Sequence, residues 1–248
     1  MRYTDIYFNG RLLSDLGAII TDPPAYKIAM RELEFKQLPL KSGDLIVDKK
    51  RFKNLEVTYK VTSLPTFGAG DEQTFAFMLA DWLIPVYDYA ILRESWCRGY
   101  FRRAVCTGVG EAKVECSGVV SAKVTFNVDP NLYSDVGTQK LSYSSDNSYE
   151  VNVSLRNPEL YEAEPVIKIT GAGNYRLYLG DLDIPITGVT DSITFDSPRA
   201  EVYDGSGADC NDLLSSLALP VFAPGLNTLR ITGESAFTVD ITPNWRRV

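Results

Sequence analysis

Histidine is absent from this sequence. That removes the usual general base of serine and cysteine hydrolases and the commonest metal ligand. Catalysis would need paired carboxylates, a lysine or a cofactor instead. Cysteine is scarce: Cys97, Cys106, Cys116 and Cys210, none in a Cys-x-x-Cys pair, so zinc lacks its spacing. Cys106 and Cys116 flank a Gly-containing turn and could face each other across a hairpin. Reduced thiols packed as small apolar groups are the other reading, the one expected of a cytoplasmic product. No apolar run approaches the roughly 20 residues needed to span a bilayer. The first residues, Met1 to Asp5, lack the apolar core of a signal peptide. Synthesis in a cytoplasm without membrane insertion is therefore expected. No Gly-rich loop follows a strand and opens a helix, so nucleotide binding lacks its mechanism.

What is present is a chain of 248 residues, 45% hydrophobic, enough for one large or two small globular domains. Charge is unevenly spread. Residues 1–135 are balanced, and the whole formal charge of −7 falls on residues 136–248. The second part should repel phosphate and anionic lipid. The stretch Asn157 to Gly171 divides the chain: Pro158 and Pro165 bracket an acidic loop, after which Ile167 and Ile169 alternate with Lys168 and Thr170 as in a half-buried strand.

Before that divide, Asn9-Gly10 is a hairpin signal between Ile6–Phe8 and a strand expected over Leu12 to Ile20. Leu33 to Leu38 forms a second extended run, stopped by Pro39, and Lys41 to Asp44 is a turn. Asp48 to Lys53 reads as a charged, solvated hairpin tip rather than a phosphate site. Leu55, Val57, Tyr59 and Val61 alternate with polar residues and mark the clearest strand. One helix is expected over 71–84: Asp71 caps it, Glu72 suits its N-terminal end and Pro85 stops it. Phe75, Met78, Leu79 and Trp82 form one apolar stripe, and burying each contributes about 1.5–3 kcal/mol. Packing on the domain's own sheet is expected of this stripe. A partner or a membrane would be the alternatives, and Asp81 beside it argues against a membrane.

Strands are then expected at Tyr87–Leu92, Tyr100–Cys106, Ala112–Cys116 and Val119–Val128. Arg93, Arg98, Arg102 and Arg103 form a basic cluster with Trp96, Tyr100 and Phe101 interleaved. That mixture suits nucleic acid, but an edge strand or subunit contact guarded by charge is preferred. Asp129–Gly137 breaks the pattern, and 142–148 is polar and turn-rich, so a domain boundary is placed between them. From 149 onward short strands dominate: Val151–Leu155, Tyr175–Leu179 turning at Gly180-Asp181 into Leu182–Ile186, then Ile193/Phe195, Leu229/Ile231 and Val239/Ile241. This spacing argues for an antiparallel sandwich. Gly205–Asp209 reads as a flexible loop.

Candidate chemistry is thin. Asp181, Asp183 and Asp191 could offer oxygens to calcium but lack the spacing of a calcium loop. Glu159, Glu162 and Glu164 sit in one loop and look solvated, whereas sugar hydrolysis needs two carboxylates converging from separate elements. Asn152-Val-Ser154 matches a glycosylation acceptor, which has no meaning without secretion. Neither a catalytic, a metal nor a cofactor site is assigned. Tyr178, Tyr203 and Trp245 are the candidates for glycan contact on a sandwich surface, with core or interface packing as the alternative.

Several motifs in order resemble the distal tail proteins of long, non-contractile-tailed bacteriophages. Asn157-Pro158, Glu162-Ala163, Pro165 to Ile169 and Gly171-x-Gly173 resemble the entry to that family's C-terminal domain. Thr194 to Ser197 with Tyr203 resemble its next strand and loop, and Pro224 to Leu229 and Ile241 to Trp245 resemble its last two strands. Earlier, Asn9-Gly10, Arg31 to Leu38 and Pro39 to Leu45 resemble its first turn and loop, with Leu40 where glycine is usual and Lys41 where arginine is usual. The resemblance implies a mainly β chain. An N-terminal β-sandwich (1–135) with one helix and a long hairpin would form a six-fold ring, and a C-terminal galectin-like sandwich (139–248) would project outward. It implies a hub in the virion, assembled in the host cytoplasm. The hub would join the tail tube protein to the tip protein, anchor receptor-binding proteins and let DNA pass without specific binding. The hairpin over 36–62 and an edge near 93–103 would make the ring contact, with Lys49, Arg51, Arg93, Arg98, Arg102 and Arg103 facing acids of the next copy across upwards of about 2,000 Å². The alternative function is a carbohydrate-binding module adhering directly to the host surface.

Overall fold

The computed structural model describes residues 4–22, 27–64, 71–115, 119–214 and 218–248. The chain divides into two compact units. The first runs to Leu132 and takes in Val248, and the second spans Tyr133–Arg247. The fold is mainly β with one α-helix among the described residues, as expected.

The first unit begins with β1 (Ile6–Phe8) and β2 (Arg11–Leu12), paired Phe8 to Arg11. Asn9 and Gly10 both have positive φ, 44° and 87°, the requirement of a two-residue type I′ turn. The strand expected over Leu12 to Ile20 is interrupted. Ser14–Leu16 is a 3-10 turn closed by Gly17 at φ 70°, and Asp5 accepts a hydrogen bond from the Ser14 amide at 3.2 Å. Then come β3 (Ala18–Asp22), β4 (Arg31–Gln37), β5 (Asp44–Phe52), β6 (Leu55–Ser63), α1 (Glu72–Leu83), β7 (Ala90–Glu94), β8 (Tyr100–Val109), β9 (Lys113–Val114) and β10 (Val120–Val128). Asp88 takes the Tyr89 amide at 2.6 Å in a turn, so β7 starts three residues later than expected. Cys116 lies outside the described residues.

Within this unit seven strands run in one sheet in the order β2-β1-β7-β8-β10-β6-β3, with β9 paired to β10 off that path, while β4 and β5 pair with each other. The sheet closes on itself: the Ile20 amide of β3 donates to the Thr4 carbonyl just ahead of β1 at 3.0 Å. The expected sandwich is thus a continuous sheet turned back over its own core. α1 fills that core. Asp71 accepts the Thr74 amide at 2.6 Å and caps it. Phe75, Leu79 and Trp82 are buried, with Met78 partly so. Trp82 donates its indole N–H to the Phe8 carbonyl at 3.1 Å, and Phe8 meets the Trp82 and Phe126 rings edge-on at 6.1 and 5.0 Å. The stripe therefore packs inside its own unit. The outward side of α1 keeps Phe77 and Ile84 exposed.

β11 (Leu132–Ser134) lies where the chain passes from one unit to the next. The second unit holds β12 (Leu141–Ser144), β13 (Glu150–Asn157), β14 (Val166–Thr170), β15 (Gly173–Leu179), β16 (Leu182–Val189), β17 (Ser192–Asp196), β18 (Glu201–Asp204), β19 (Gly225–Gly233), β20 (Thr238–Thr242) and β21 (Arg246–Arg247). Two antiparallel sheets, β12-β20-β14-β17-β18 and β13-β19-β15-β16, bury Ile167, Ile169, Phe195 and Ile241 against Leu177 and Ile231. The tight turn at Gly180 (φ 58°) pairs Leu179 with Leu182, as the sequence indicates. Two expectations fail. Leu141–Ser144, overlapping the stretch 142–148 read as polar and turn-rich, is an edge strand paired with β20. The loop after β18 is pinned, because the Asp204 carboxylate accepts from the Ser206 amide (2.8 Å), its hydroxyl (2.7 Å) and the Ala208 amide (3.0 Å). Those bonds, the Ser206 hydroxyl's first, hold its pKa below the usual carboxylate range.

Gly137 has no room for a side chain. A methyl there would lie 2.5 Å from Trp245 Cβ, backbone-anchored atoms that cannot swing away. Gly137→Ala should destabilise the second unit by about 2–4 kcal/mol in chemical denaturation. Gly108→Ala, where nothing lies within 4 Å, should be close to neutral.

Candidate interaction surface

The hairpin of β4 and β5 stands as a two-stranded sheet of its own. Register places Phe35 opposite Ile46 and Leu33 opposite Asp48, and opposed residues share a face. One face thus carries Leu33, Phe35 and Ile46, exposed by 39%, 59% and 58%. The other carries Val47 and exposed Leu45 beside a lattice of ion pairs: Arg51 pairs with Glu32 at 2.6 Å, Lys49 with Glu34 at 3.1 Å and Lys36 with Glu34 at 3.4 Å. The hydrogen bond from Arg51 holds the Glu32 carboxyl below its usual range, and that from Lys49 does the same for Glu34. Each pair is exposed and individually weak. The lattice sets register rather than stability.

The charged stretch Asp48 to Lys53 is therefore not a tip. It lies largely in β5, zipped to β4 by Arg31 to Asp48 at 3.0 Å and by the pairs above. The tip is Leu38 to Gly43. There Leu40 has φ 63°, the left-handed conformation glycine adopts without strain.

The six basic candidates fall into two groups. Lys49 and Arg51 are held by acids of their own hairpin. Arg93, on β7, lies over the Phe101 ring at 4.9 Å. Arg98 is exposed in the turn before Gly99, and Arg103 is half-buried on β8. Arg102 is corrected outright: only 8% exposed, it acts with Tyr59, whose hydroxyl donates to Glu94 Oε1 at 2.7 Å. Burial raises the Glu94 pKa, opposed by that bond and by the Arg102 charge. Burial, then Glu94, raises the Tyr59 pKa. Arg102 is thus buried in its own unit, where its charge acts on Glu94 and Tyr59, rather than displayed at an edge.

The three aromatic candidates do not converge. Tyr178 lies under two guanidiniums, Arg176 and Arg230, each 5.4 Å from its centroid. Asp183 holds Arg176 by two 2.7 Å bonds, and Glu150 holds Arg230 at 2.9 and 3.3 Å. Tyr203 sits half-buried on β18, in the other sheet. Trp245 is 6% exposed and packs on Phe222 at 5.4 Å. A sugar needs an open aromatic face, so Trp245 is corrected to a core residue. Asp183, a calcium candidate, is taken by Arg176.

Sequence reasoning missed one arrangement. Glu159 and Glu164, read as solvated, are clasped by the C-terminal arginines. Arg246 grips Glu164 with two bonds at 2.8 and 2.9 Å and the Glu162 carbonyl at 2.9 Å. Arg247 reaches Glu159 at 2.8 Å, a side chain only 6% exposed. Asn157 organises the same loop, donating to the Tyr161 carbonyl at 2.9 Å. Two arginines beside Trp245 against three glutamates in one loop were the available signal, but nothing local pairs residues 82 to 88 apart.

No family model matches this sequence, and no curated protein does. Among solved structures the chain is similar to the Dit protein of phage SPP1, described as a paradigm of the hub adsorption apparatus of phages infecting Gram-positive hosts. The TM-score is 0.71 and the identity 13%, and the likeness covers 100% of both chains. The resemblance suggested by the motifs is thus borne out in the fold.

Arg246→Met keeps the aliphatic stem and removes the clasp on Glu164. It should lower the stability of the second unit by about 1–2 kcal/mol in denaturant titration, while the first unit's transition stays unmoved.

Proposed function

We propose that this chain is a structural hub of a bacteriophage tail tip, a distal tail protein. Its first unit closes into a six-fold ring between the tail tube protein and the tip protein. Its second unit, a galectin-like sandwich, anchors receptor-binding components, and DNA passes through the ring without specific contacts. The protein would reside in the virion after assembly in the host cytoplasm, and the role needs no catalytic group or cofactor. The carrying observation is the likeness in fold to SPP1 Dit over the full length of both chains. The hairpin supports the same reading: a lone two-stranded ribbon is marginal in water, so an exposed apolar face on one is best explained by a cover from another molecule. The carbohydrate-binding alternative has less support, because its three aromatics do not converge, Trp245 is buried and Tyr178 is covered by two guanidiniums.

Native mass spectrometry of the purified protein, alone and with its tail tube protein, should give a species of six copies. A strictly monomeric chain at high concentration under both conditions would remove the proposal.

A further inference from the structure

A ring built from one kind of subunit uses head-to-tail contacts, so each copy must carry two different, complementary patches. Two exposed apolar patches of the first unit differ in charge. One is the hairpin, with Leu33, Phe35 and Ile46 on its open face. Residues 31–53 hold seven basic and four acidic residues, a net +3, and Lys41, Lys50 and Lys53 have no ion pair among the described residues. The other is the outward side of α1 and the segment after it. Phe77 and Ile84, one heptad apart, are 60% and 61% exposed, and Tyr87 is 90% exposed. Residues 71–91 contain four acidic residues and no basic one. Asp81, between Phe77 and Ile84 on that side, has no ion pair among the described residues.

We propose that the apolar face of the β4–β5 hairpin of one copy docks on the outward face of α1 of the next. Phe35 and Ile46 would pack against Phe77 and Ile84, and the hairpin's unpaired lysines would lie along the acidic rim marked by Asp81. This rests on the ring reading and names the surfaces that close it. The occupant is a second copy because opposite charge and matching apolar content are found on two separate patches of the same unit. Both patches stay open to solvent within their own chain. Apolar contact gives the affinity, while the opposed charges set direction and reject hairpin-on-hairpin pairing.

The test uses the full chain with two single variants, Phe35→Asp and Phe77→Asp. Both positions are exposed, so circular dichroism should match the parent. In sedimentation, each variant alone should need at least about 100-fold more protein to assemble. Mixed one to one, they keep a single productive contact, the hairpin of the Phe77→Asp copy on the helix of the Phe35→Asp copy. The mixture should therefore form a heterodimer that cannot close, and it should dissociate as salt rises. If Phe77→Asp assembles like the parent, the docking face is wrong while the ring stands. If both variants are monomeric and their mixture stays monomeric, the pairing of these two faces is overturned. A parent protein that never assembles, even with tail tube protein, overturns the ring and this contact together.

Discussion

A two-stranded ribbon has no second layer. The strands of the two cores are answered by a helix or an opposing sheet, but the hairpin of residues 31–52 presents Leu33, Phe35 and Ile46 to water. Burying such side chains is worth about 1.5–3 kcal/mol each, and nothing within its own sheet recovers that. The ribbon is held meanwhile by cross-strand ion pairs, which specify register at little gain in stability. This imbalance is what the proposed assembly would relieve, by covering the open face of the hairpin.

The second unit solves the opposite problem. It carries all of the protein's net negative charge, and two of its acids are drawn into the Arg246–Arg247 clasp rather than left in solvent. The last strand thereby locks the loop between β13 and β14. Asn157 and the Gly137–Trp245 close approach reinforce the same corner. An acidic sandwich closed at this corner would suit the anchoring role proposed for it. The buried Trp245 and the guanidinium-covered Tyr178 do not suit a sugar cradle.

Much of the fold was legible because period and turn chemistry are local. The alternation of Leu55 to Val61, the stripe of Phe75 to Trp82 with its Asp71 cap, and the Asn9-Gly10 and Gly180-Asp181 turns all appear where the sequence places them. Failures arose where distant groups decide. The break at Ser14–Leu16 depends on the Asp5 carboxylate and on Gly17. The strand at Leu141–Ser144 is polar and exists because β20 offers it a ladder. Basic residues looked alike in sequence, yet Arg102 is buried beside Tyr59 and Glu94 whereas Arg98 is exposed. The glutamates of 159–164 looked solvated because their partners are so remote along the chain. The charge imbalance between the hairpin and the helix was readable from composition, but its meaning needed the knowledge that both faces are uncovered.

The central claim is that the hairpin gains its cover only from another copy. Amide hydrogen exchange followed at residues 31–52, in assembled and in monomeric protein, tests this most directly. The account predicts fast exchange there in the monomer and strong protection on assembly, while β6 and β10 are protected in both states. Equal protection of the hairpin in monomer and assembly, or none in either, would contradict it.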